Sequence, residues 1–264
     1  MSHDWAAHRA PDFKSIDPMR TIAVLPTAAI EQHGPHLPVG TDTMIAEGML
    51  GEVRGRIPDD LDVRILPVQA VGKSNEHLWA AGTLTLTAET ALRVWTEIGL
   101  SVARAGVRKM VIVNSHGGNL DLISILAREM RVQAGMLCVK CQWGSFGHPD
   151  GLYSSHETTY GIHGGDVETS LMLHFRPDTV DMSAAKDFRS TAETDGVQPI
   201  GSITYGWVAK DLNPDGTVGN AAAGTAEKGA ETAAHQADGF VGLLRELAAM
   251  PLDRFAPVTG PDQR

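Results

Sequence analysis

The chain has 264 residues, 42% of them hydrophobic, enough to bury the core of one large α/β domain or two small ones. Twenty-two Lys and Arg against 32 Asp and Glu give a net charge of −10, and no basic run interrupts this balance. Nucleic acid and anionic membranes are therefore not expected partners. The first residues do not form a secretion signal, and no apolar run has the length of a membrane span, which indicates a cytoplasmic protein.

Four short apolar segments have the pattern of buried strands, at 21–29, 63–71, 109–114 and 137–143. Helical patterns lie between them, at 43–56, 88–105 and 120–134. This alternation predicts an α/β protein with a largely parallel sheet flanked by helices. Ligands of such sheets bind beyond the carboxyl ends of the strands.

Beyond residue 143 the pattern loosens into Gly- and His-rich loops. It then predicts a helix at 166–175, a short strand at 203–207 and a long Ala-rich helix at 223–250. No linker divides the chain. We therefore expect residues 1–264 to form one domain, with 1–17 and 251–264 as peripheral extensions.

The two cysteines, Cys138 and Cys141, have the C-x-x-C spacing of a redox pair or of half a zinc site. They lie in a segment that alternates like a strand, and residues three apart on a strand point to opposite faces. No second cysteine pair completes a zinc site. We interpret both as core thiols.

The first strand leads directly into Glu31-Gln-His33-Gly-Pro-His36-Leu-Pro-Val-Gly-Thr-Asp42. Glu31 and His33 are two residues apart, so in extended backbone they project to the same side. Gly and Pro residues stiffen the loop that returns Asp42 to the same place. Carboxylate and imidazole ligands together suit Zn²⁺, Mn²⁺ or Fe²⁺.

Two further segments have the same character. His116 follows the strand at 109–114, and the glycines Gly117 and Gly118 let a substrate approach the backbone. The third segment, from His163 to Ser170, leads into a helix whose amino end favours anions. A lone loop histidine is more often structural than a ligand, so each segment alone is weak evidence. Together they predict a metal site.

The motifs E-x-H-G-P-H-L-P-x-x-T-D, N-x-H-G-G-N and H-x-G-x-x-E-T-S resemble, in order and spacing, those of the creatininase (creatinine amidohydrolase) family. The resemblance implies that family's three-layer α/β sandwich, a two-metal site and a closed homo-oligomer, with a hexamer as the expected form. It implies that Glu31 and His116 bind one metal, that His33 binds the other, and that Asp42 bridges them.

The chain departs from the creatinine-cleaving pattern at Gly118, where those members carry a metal-binding Glu. The H-G-G-N form resembles formamide hydrolases and a peptide-trimming enzyme instead. We expect Glu168 to replace the missing ligand and to belong, with His163, to the catalytic residues. His163 is the expected proton donor to the leaving nitrogen, because the pKa of histidine lies near neutrality and the family places a catalytic histidine there.

The predicted function is hydrolysis of a C–N bond in a small cyclic or linear amide. Two divalent ions, Zn²⁺ or Mn²⁺ with Fe²⁺ as a further candidate, would share a water, lower its pKa and supply hydroxide. A peptide-trimming metallohydrolase and a non-catalytic binder of small molecules are the alternatives. The groups expected to contact the substrate are His36, Glu76, His77, Gly117, Gly118 and Tyr160.

Overall fold

The structure is a computed structural model that describes residues 2–255, so 256–264 of the predicted extension lie outside the described part. The central sheet has four parallel strands: β1 (Ile22–Thr27), β2 (Val63–Ile65), β3 (Lys109–Asn114) and β4 (Leu137–Gln142). They lie in the order β2-β1-β3-β4. The predicted parallel sheet is thereby confirmed.

Helices cover both faces of this sheet: α1 (Thr41–Arg54), α2 (Ala88–Arg104), α3 (Leu120–Ala134), α5 (Asp166–Phe175) and α7 (Ala226–Ala249). Side chains alternate between the faces of a strand. On β3, Val111 and Val113 accordingly pack in one buried cluster with α1, α5 and α7, whereas Met110 and Ile112 pack in another with α2 and α3. The result is a three-layer α/β/α sandwich.

Smaller elements complete the fold: α4 (Ser155–Tyr160), α6 (Ala209–Leu212) and an antiparallel pair of β5 (Asp187–Phe188) with β6 (Gly219–Asn220). The strand predicted at 203–207 is wrong. In that segment the Thr204 hydroxyl and the Trp207 indole N–H both donate to the carbonyl of Pro199, at 2.5 and 2.8 Å. These side-chain bonds fold the segment onto itself instead of leaving it extended.

The predicted strand 63–71 is shorter than expected. Regular pairing ends at Ile65, and a single parallel bridge joins Gln69 to Thr27. The Leu66 N–H donates to the Val24 carbonyl, and the next bond comes from the Gln69 N–H to the Pro26 carbonyl, so one extra residue between them interrupts the ladder. The long last helix begins at Ala226 rather than at residue 223, because the Thr225 side chain accepts a bond from the N–H of Lys228 and caps it there.

The thiols of Cys138 and Cys141 lie on opposite faces of β4. Cys141 packs in the cluster with α1, α5 and α7, and Cys138 packs against the other cluster. Both are free, and burial raises the pKa of each thiol to about 12. Their interpretation as core thiols is confirmed.

The amino-terminal segment lies against the sheet edge. Asp4 forms a parallel bridge with Ile65, and Trp5 packs against the cluster that contains α2 and α3. Within residues 2–255, no helix combines the length and the apolar character that crossing a bilayer requires.

Candidate metal centre

Glu31 and His33 lie in the loop that follows β1, and both are buried, with 1% of each residue exposed. The loop is held by a bond from the Glu31 N–H to the Val39 carbonyl and by a bridge between His33 and Leu37. Nδ1 of His33 lies 3.0 Å from the Glu31 carbonyl oxygen. This contact turns Nε2 of His33 toward the carboxylates.

Asp42 lies in the first turn of α1, where the helix dipole favours a negative charge. Its two oxygens face two different imidazoles: Oδ1 is 3.3 Å from His33 Nε2, and Oδ2 is 3.3 Å from His116 Nδ1. The loop thus returns Asp42 to the place that the sequence predicts. This arrangement suits a carboxylate shared by two ions.

His116 follows the carboxyl end of β3 and also faces Glu31, with Nδ1 3.2 Å from Glu31 Oε1. Its other nitrogen, Nε2, is 2.9 Å from the Lys73 carbonyl oxygen, which fixes the ring orientation. A ligand histidine commonly donates its second N–H to such an oxygen.

Glu168 and His163 reach the cluster from α5 and the loop before it. Glu168 Oε2 is 3.8 Å from His33 Nε2, and His163 Nδ1 is 3.7 Å from Glu31 Oε1. His163 Nε2 is 2.8 Å from the Gln32 carbonyl, so Nδ1 is the atom that faces the carboxylates.

The donor atoms fit divalent ions. Glu31, Asp42 and His116 offer atoms within 4.8 Å of one another, as do His33, Asp42 and Glu168, so the two groups share Asp42. Three buried atoms in these groups have no hydrogen-bond partner, although such atoms are normally paired. They are Glu31 Oε2, His33 Nε2 and Asp42 Oδ2. A cation would satisfy all three.

The pKa values in the cluster are shifted by burial and by the contacts between carboxylates and imidazoles. Burial opposes charge on His33, but the Asp42 carboxylate prevails and raises the pKa of His33 to about 10. The pKa of His116 is raised in the same way by Glu31. Burial raises the pKa of Glu168 to about 7 and, together with the charge on His33, lowers the pKa of His163 to about 3.

Glu168 stays the predicted replacement for a carboxylate at position 118, and a second carboxylate lies near that position. Glu168 groups with His33 and Asp42, whereas the carboxylate nearest to a side chain built at Gly118 is that of Glu76. Oε1 of Glu76 is 3.6 Å from His116 Nε2. A second acid, 42 residues earlier in the chain than Gly118, therefore lies beside the N-x-H-G-G-N loop.

Gln32 was assigned no role from the sequence, yet it contacts two histidines of the site. Its Nε2 is 2.9 Å from His77 Nδ1 and 3.2 Å from His163 Nε2, and its Oε1 accepts the Gly34 N–H. His77 in turn faces Glu31, at 3.5 Å. Its position in the sequence, between the predicted ligands Glu31 and His33, is the signal that could have revealed its role.

The asparagines that flank the second motif were also missed. Asn119 donates to the Ala28 carbonyl and to Asn114 Oδ1, each at 3.1 Å, and accepts the Lys73 N–H at 3.0 Å. These bonds tie the loop that carries His116 to the ends of two neighbouring segments. Paired asparagines around a glycine turn are the signal that could have revealed them.

Two predicted substrate contacts lie elsewhere. His36 Nε2 is 3.0 Å from Thr169 Oγ1, and its ring stacks on Phe188. Tyr160 packs against His156 at the end of α4. Neither lines the two cavities that adjoin the cluster, whereas the other four predicted contacts do: Glu76, His77, Gly117 and Gly118.

The two cavities are named here by their tryptophans. The Trp143 cavity, about 560 Å³, is lined by Ile45, Trp143 and Leu171 and reaches Glu168. The Trp207 cavity, about 530 Å³, is lined by Lys73, Tyr205 and Trp207 and reaches Glu31 and His163. They meet at six shared residues: His116, Gly117, Leu120, Ile162, Ile200 and Gly201.

Comparison with known proteins identifies the family of this chain. The creatininase family model, described as creatinine amidohydrolase, matches residues 6–244. The mycofactocin precursor peptide peptidase of Mycobacterium ulcerans is 31% identical over 235 residues, which is 86% of each chain. The creatinine amidohydrolase of Pseudomonas putida is 30% identical over 182 residues, covering 63% of this chain and 68% of that protein.

Solved structures agree on the fold. A manganese form of creatininase superposes with a TM-score of 0.74 at 24% identity, covering 95% of this chain and all of the other. A further creatinine amidohydrolase structure gives 0.73 at 22% identity, covering 97% and 99% of the two chains. Creatininase has also been solved in a zinc form and, as a variant, with creatine.

Proposed function

This chain belongs to the creatininase (creatinine amidohydrolase) family, and from that membership we propose that it is a metal-dependent hydrolase of an amide C–N bond. The observation that carries the proposal is the position of Asp42, whose two oxygens face His33 and His116 separately. One ion would be held by Glu31, Asp42 and His116, and the other by His33, Asp42 and Glu168. The unpartnered atoms of Glu31, His33 and Asp42 support this assignment.

When bound, two such ions lower the pKa of a water and polarise the amide carbonyl. The residues around them position the reactants. Gly117 leaves the backbone open, because a side chain built there would meet nothing within 4 Å.

His163 is the proposed proton carrier. Its Nε2 lies 2.8 Å from the Gln32 carbonyl and donates to it, so the unprotonated Nδ1 faces the cluster, where it can accept a proton from the attacking water. The same atom can then transfer that proton to the departing nitrogen. Gln32 holds Nε2 throughout, which keeps Nδ1 directed at the reacting groups.

A peptide-trimming activity is the second candidate. The similarity to the mycobacterial peptide peptidase over 86% of both chains supports it, as does the presence of two cavities instead of one. A non-catalytic role is disfavoured, because every group that hydrolysis needs lies in the cluster.

We retain a closed homo-oligomer as a prediction, to be checked by sedimentation.

The test combines metal analysis with substrate screening. Protein prepared without chelators should contain zinc or manganese and should hydrolyse at least one member of a panel of cyclic ureides, formamides and short peptides. Chelation should abolish turnover, and Zn²⁺ or Mn²⁺ should restore it. Asp42→Asn, which keeps the shape of the side chain, is the matched inactive control. Turnover that survives complete metal removal would contradict the proposal.

A further inference from the structure

The groups of the cluster divide between the two cavities. Glu168 lines the Trp143 cavity alone, and His163 lines the Trp207 cavity alone, whereas His116 lines both. A scissile bond placed at the cluster must therefore lie where the cavities meet, beside His116 and Gly117. Each cavity by itself has the volume of an ordinary ligand site.

The position of His163 gives the substrate a direction. The departing nitrogen receives its proton from His163 Nδ1, so this nitrogen and its substituent must lie on the side that His163 faces. That side is the Trp207 cavity. The acyl part of the amide then extends into the Trp143 cavity.

The walls of the cavities differ in chemistry. The apolar part of the acyl side's wall is formed by Ile45, Trp143, Val167 and Leu171, and Gln142, His148 and Gln236 line the same cavity. Besides the proposed ligand Glu168, this cavity is lined by the Glu157 carboxyl, whose two oxygens accept the N–H groups of Asp166 and Asn220, at 2.7 and 2.8 Å, and so have little capacity for a ligand. An apolar acyl group suits these walls.

The amine side is also mostly apolar, but it carries more charged and aromatic side chains. Lys73, Asn75 and Asp121 line it together with the aromatic rings of Tyr205 and Trp207. Lys73 is already paired with Glu76, at 3.2 Å, so this side offers no free cation to demand an anionic substrate. An aromatic or polar substituent on the nitrogen fits these residues.

Resting on the proposed function, we propose that the substrate is a linear amide extending into both cavities, with an apolar acyl group in the Trp143 cavity and a substituted amine in the Trp207 cavity. Water adds to the carbonyl carbon and the C–N bond breaks. One proton of that water passes through His163 to the nitrogen, which leaves as the amine, and the other proton is released to solvent as the acyl group leaves as the carboxylate. A small ring that contains the scissile bond cannot place its two sides in separate cavities.

Two glycines allow each cavity to be filled separately. Gly144 lines the Trp143 cavity and Gly206 lines the Trp207 cavity, and a Cβ at either would meet nothing within 4 Å. Neither has a positive φ, so Gly144→Phe and Gly206→Phe are compatible with the backbone. Gly51→Phe is the control, because Gly51 is an exposed position on α1 with the same open surroundings, away from both cavities.

Four probes vary the two sides independently: formamide, formanilide, 4-methylpentanamide and 4-methylpentananilide. The metal-loaded protein should favour the anilide with the long acyl group by about tenfold or more in kcat/KM over each of the others. Gly144→Phe should lower kcat/KM about tenfold for the two long acyl groups and leave the formyl pair within about twofold. Gly206→Phe should lower kcat/KM about tenfold for the two anilides and leave the two unsubstituted amides within about twofold. Gly51→Phe should leave kcat/KM unchanged for all four probes.

A preference for formamide or for a cyclic amide would overturn the proposal, and so would an exchange of the two variants' effects. A second measurement needs no turnover: 4-methylpentanoate should bind the metal-loaded protein and lose about tenfold in affinity in Gly144→Phe, but not in Gly206→Phe. Equal binding by both variants would also overturn it. Failure of the proposed function is distinguishable, since it would appear as hydrolysis that chelators do not affect or as protein that binds no metal.

Discussion

Glu76 occupies the space that a side chain at Gly118 would need. A Cβ at position 118 would overlap Glu76 Oε1, the carbonyl oxygen of Lys73 and Nε2 of His116. Since the Lys73 oxygen belongs to the backbone, this crowding cannot be relieved by a change of rotamer. The glycine is therefore a packing requirement of the loop that carries His116.

We expect Gly118→Ala to destabilise the protein by about 1 to 3 kcal/mol, the usual cost of overpacking, and to weaken metal binding by displacing His116. Gly117→Ala is the matched control for folding and metal content, because a Cβ at that position meets nothing within 4 Å. Thermal unfolding and elemental analysis of the two variants make the comparison. Equal melting temperatures and equal metal content would show that the crowding is absent in solution.

Creatinine should be a poor substrate or none. The position at which creatinine-cleaving relatives carry a carboxylate is Gly118 here, and Glu76 approaches His116 from another direction. Altered coordination around the attacking water should weaken transition-state binding and depress kcat/KM. A kcat/KM for creatinine of about 10⁴ M⁻¹s⁻¹ or more would contradict this expectation.

Variants at Asp42 and at His163 should distinguish metal binding from proton transfer. Asp42→Ala should lose activity and most of the bound metal, because its oxygens face both imidazoles. His163→Ala should lose activity but keep the metal, because only a proton carrier is removed. Elemental analysis decides between them. If His163→Ala loses a full equivalent of metal, then His163 is a ligand and the proton carrier must be sought elsewhere.

Metal binding should release protons. The pKa of His33 is raised to about 10 and that of His116 is raised as well, so both rings carry a proton at neutral pH in the metal-free protein. A ligand imidazole must be neutral, so binding near pH 8 should release about two protons, and Glu168, with a pKa of about 7, should add to that number toward pH 6. Apparent affinity should therefore rise with pH between about 6 and 8. Calorimetry in buffers of different ionisation enthalpy measures the number.

His174→Gln is the control for that titration, because His174 lies near the other end of α5 and faces Glu52. It should leave the proton count unchanged. A metal affinity that is independent of pH would mean that His33 and His116 are neutral before the metal arrives, against the raised pKa values.

The sequence predicted the groups that share a local pattern. Glu31 and His33 alternate on extended backbone, and His116 follows a strand of clear apolar pattern, so chain direction alone brought them to one edge of the sheet. The position of Glu76 could not be predicted in this way. It depends on how the loop around residue 76 packs against the loop at 116–118, and such a contact leaves no periodic signal in either segment.

The prediction of a strand at 203–207 failed for a related reason. Its residues have the composition of a strand, but the Thr204 hydroxyl and the Trp207 indole each find the Pro199 carbonyl. Propensity describes how a segment fits a sheet, and here the pairing amounts to an isolated parallel bridge between Thr204 and Gln198. The same bonds shape the part of the chain that lines the Trp207 cavity.

Asp42 lies on α1, His116 follows β3 and Glu168 lies on α5, so the two ligand groups join parts of the chain far apart in sequence. An unfolded chain cannot hold these groups together, and ligands that bind only the native state stabilise it by mass action. Each bound ion should therefore add about 4 kcal/mol to the free energy of unfolding at a free metal concentration one thousand times its Kd. Metal supply would thus govern how long the protein stays folded as well as how fast it works.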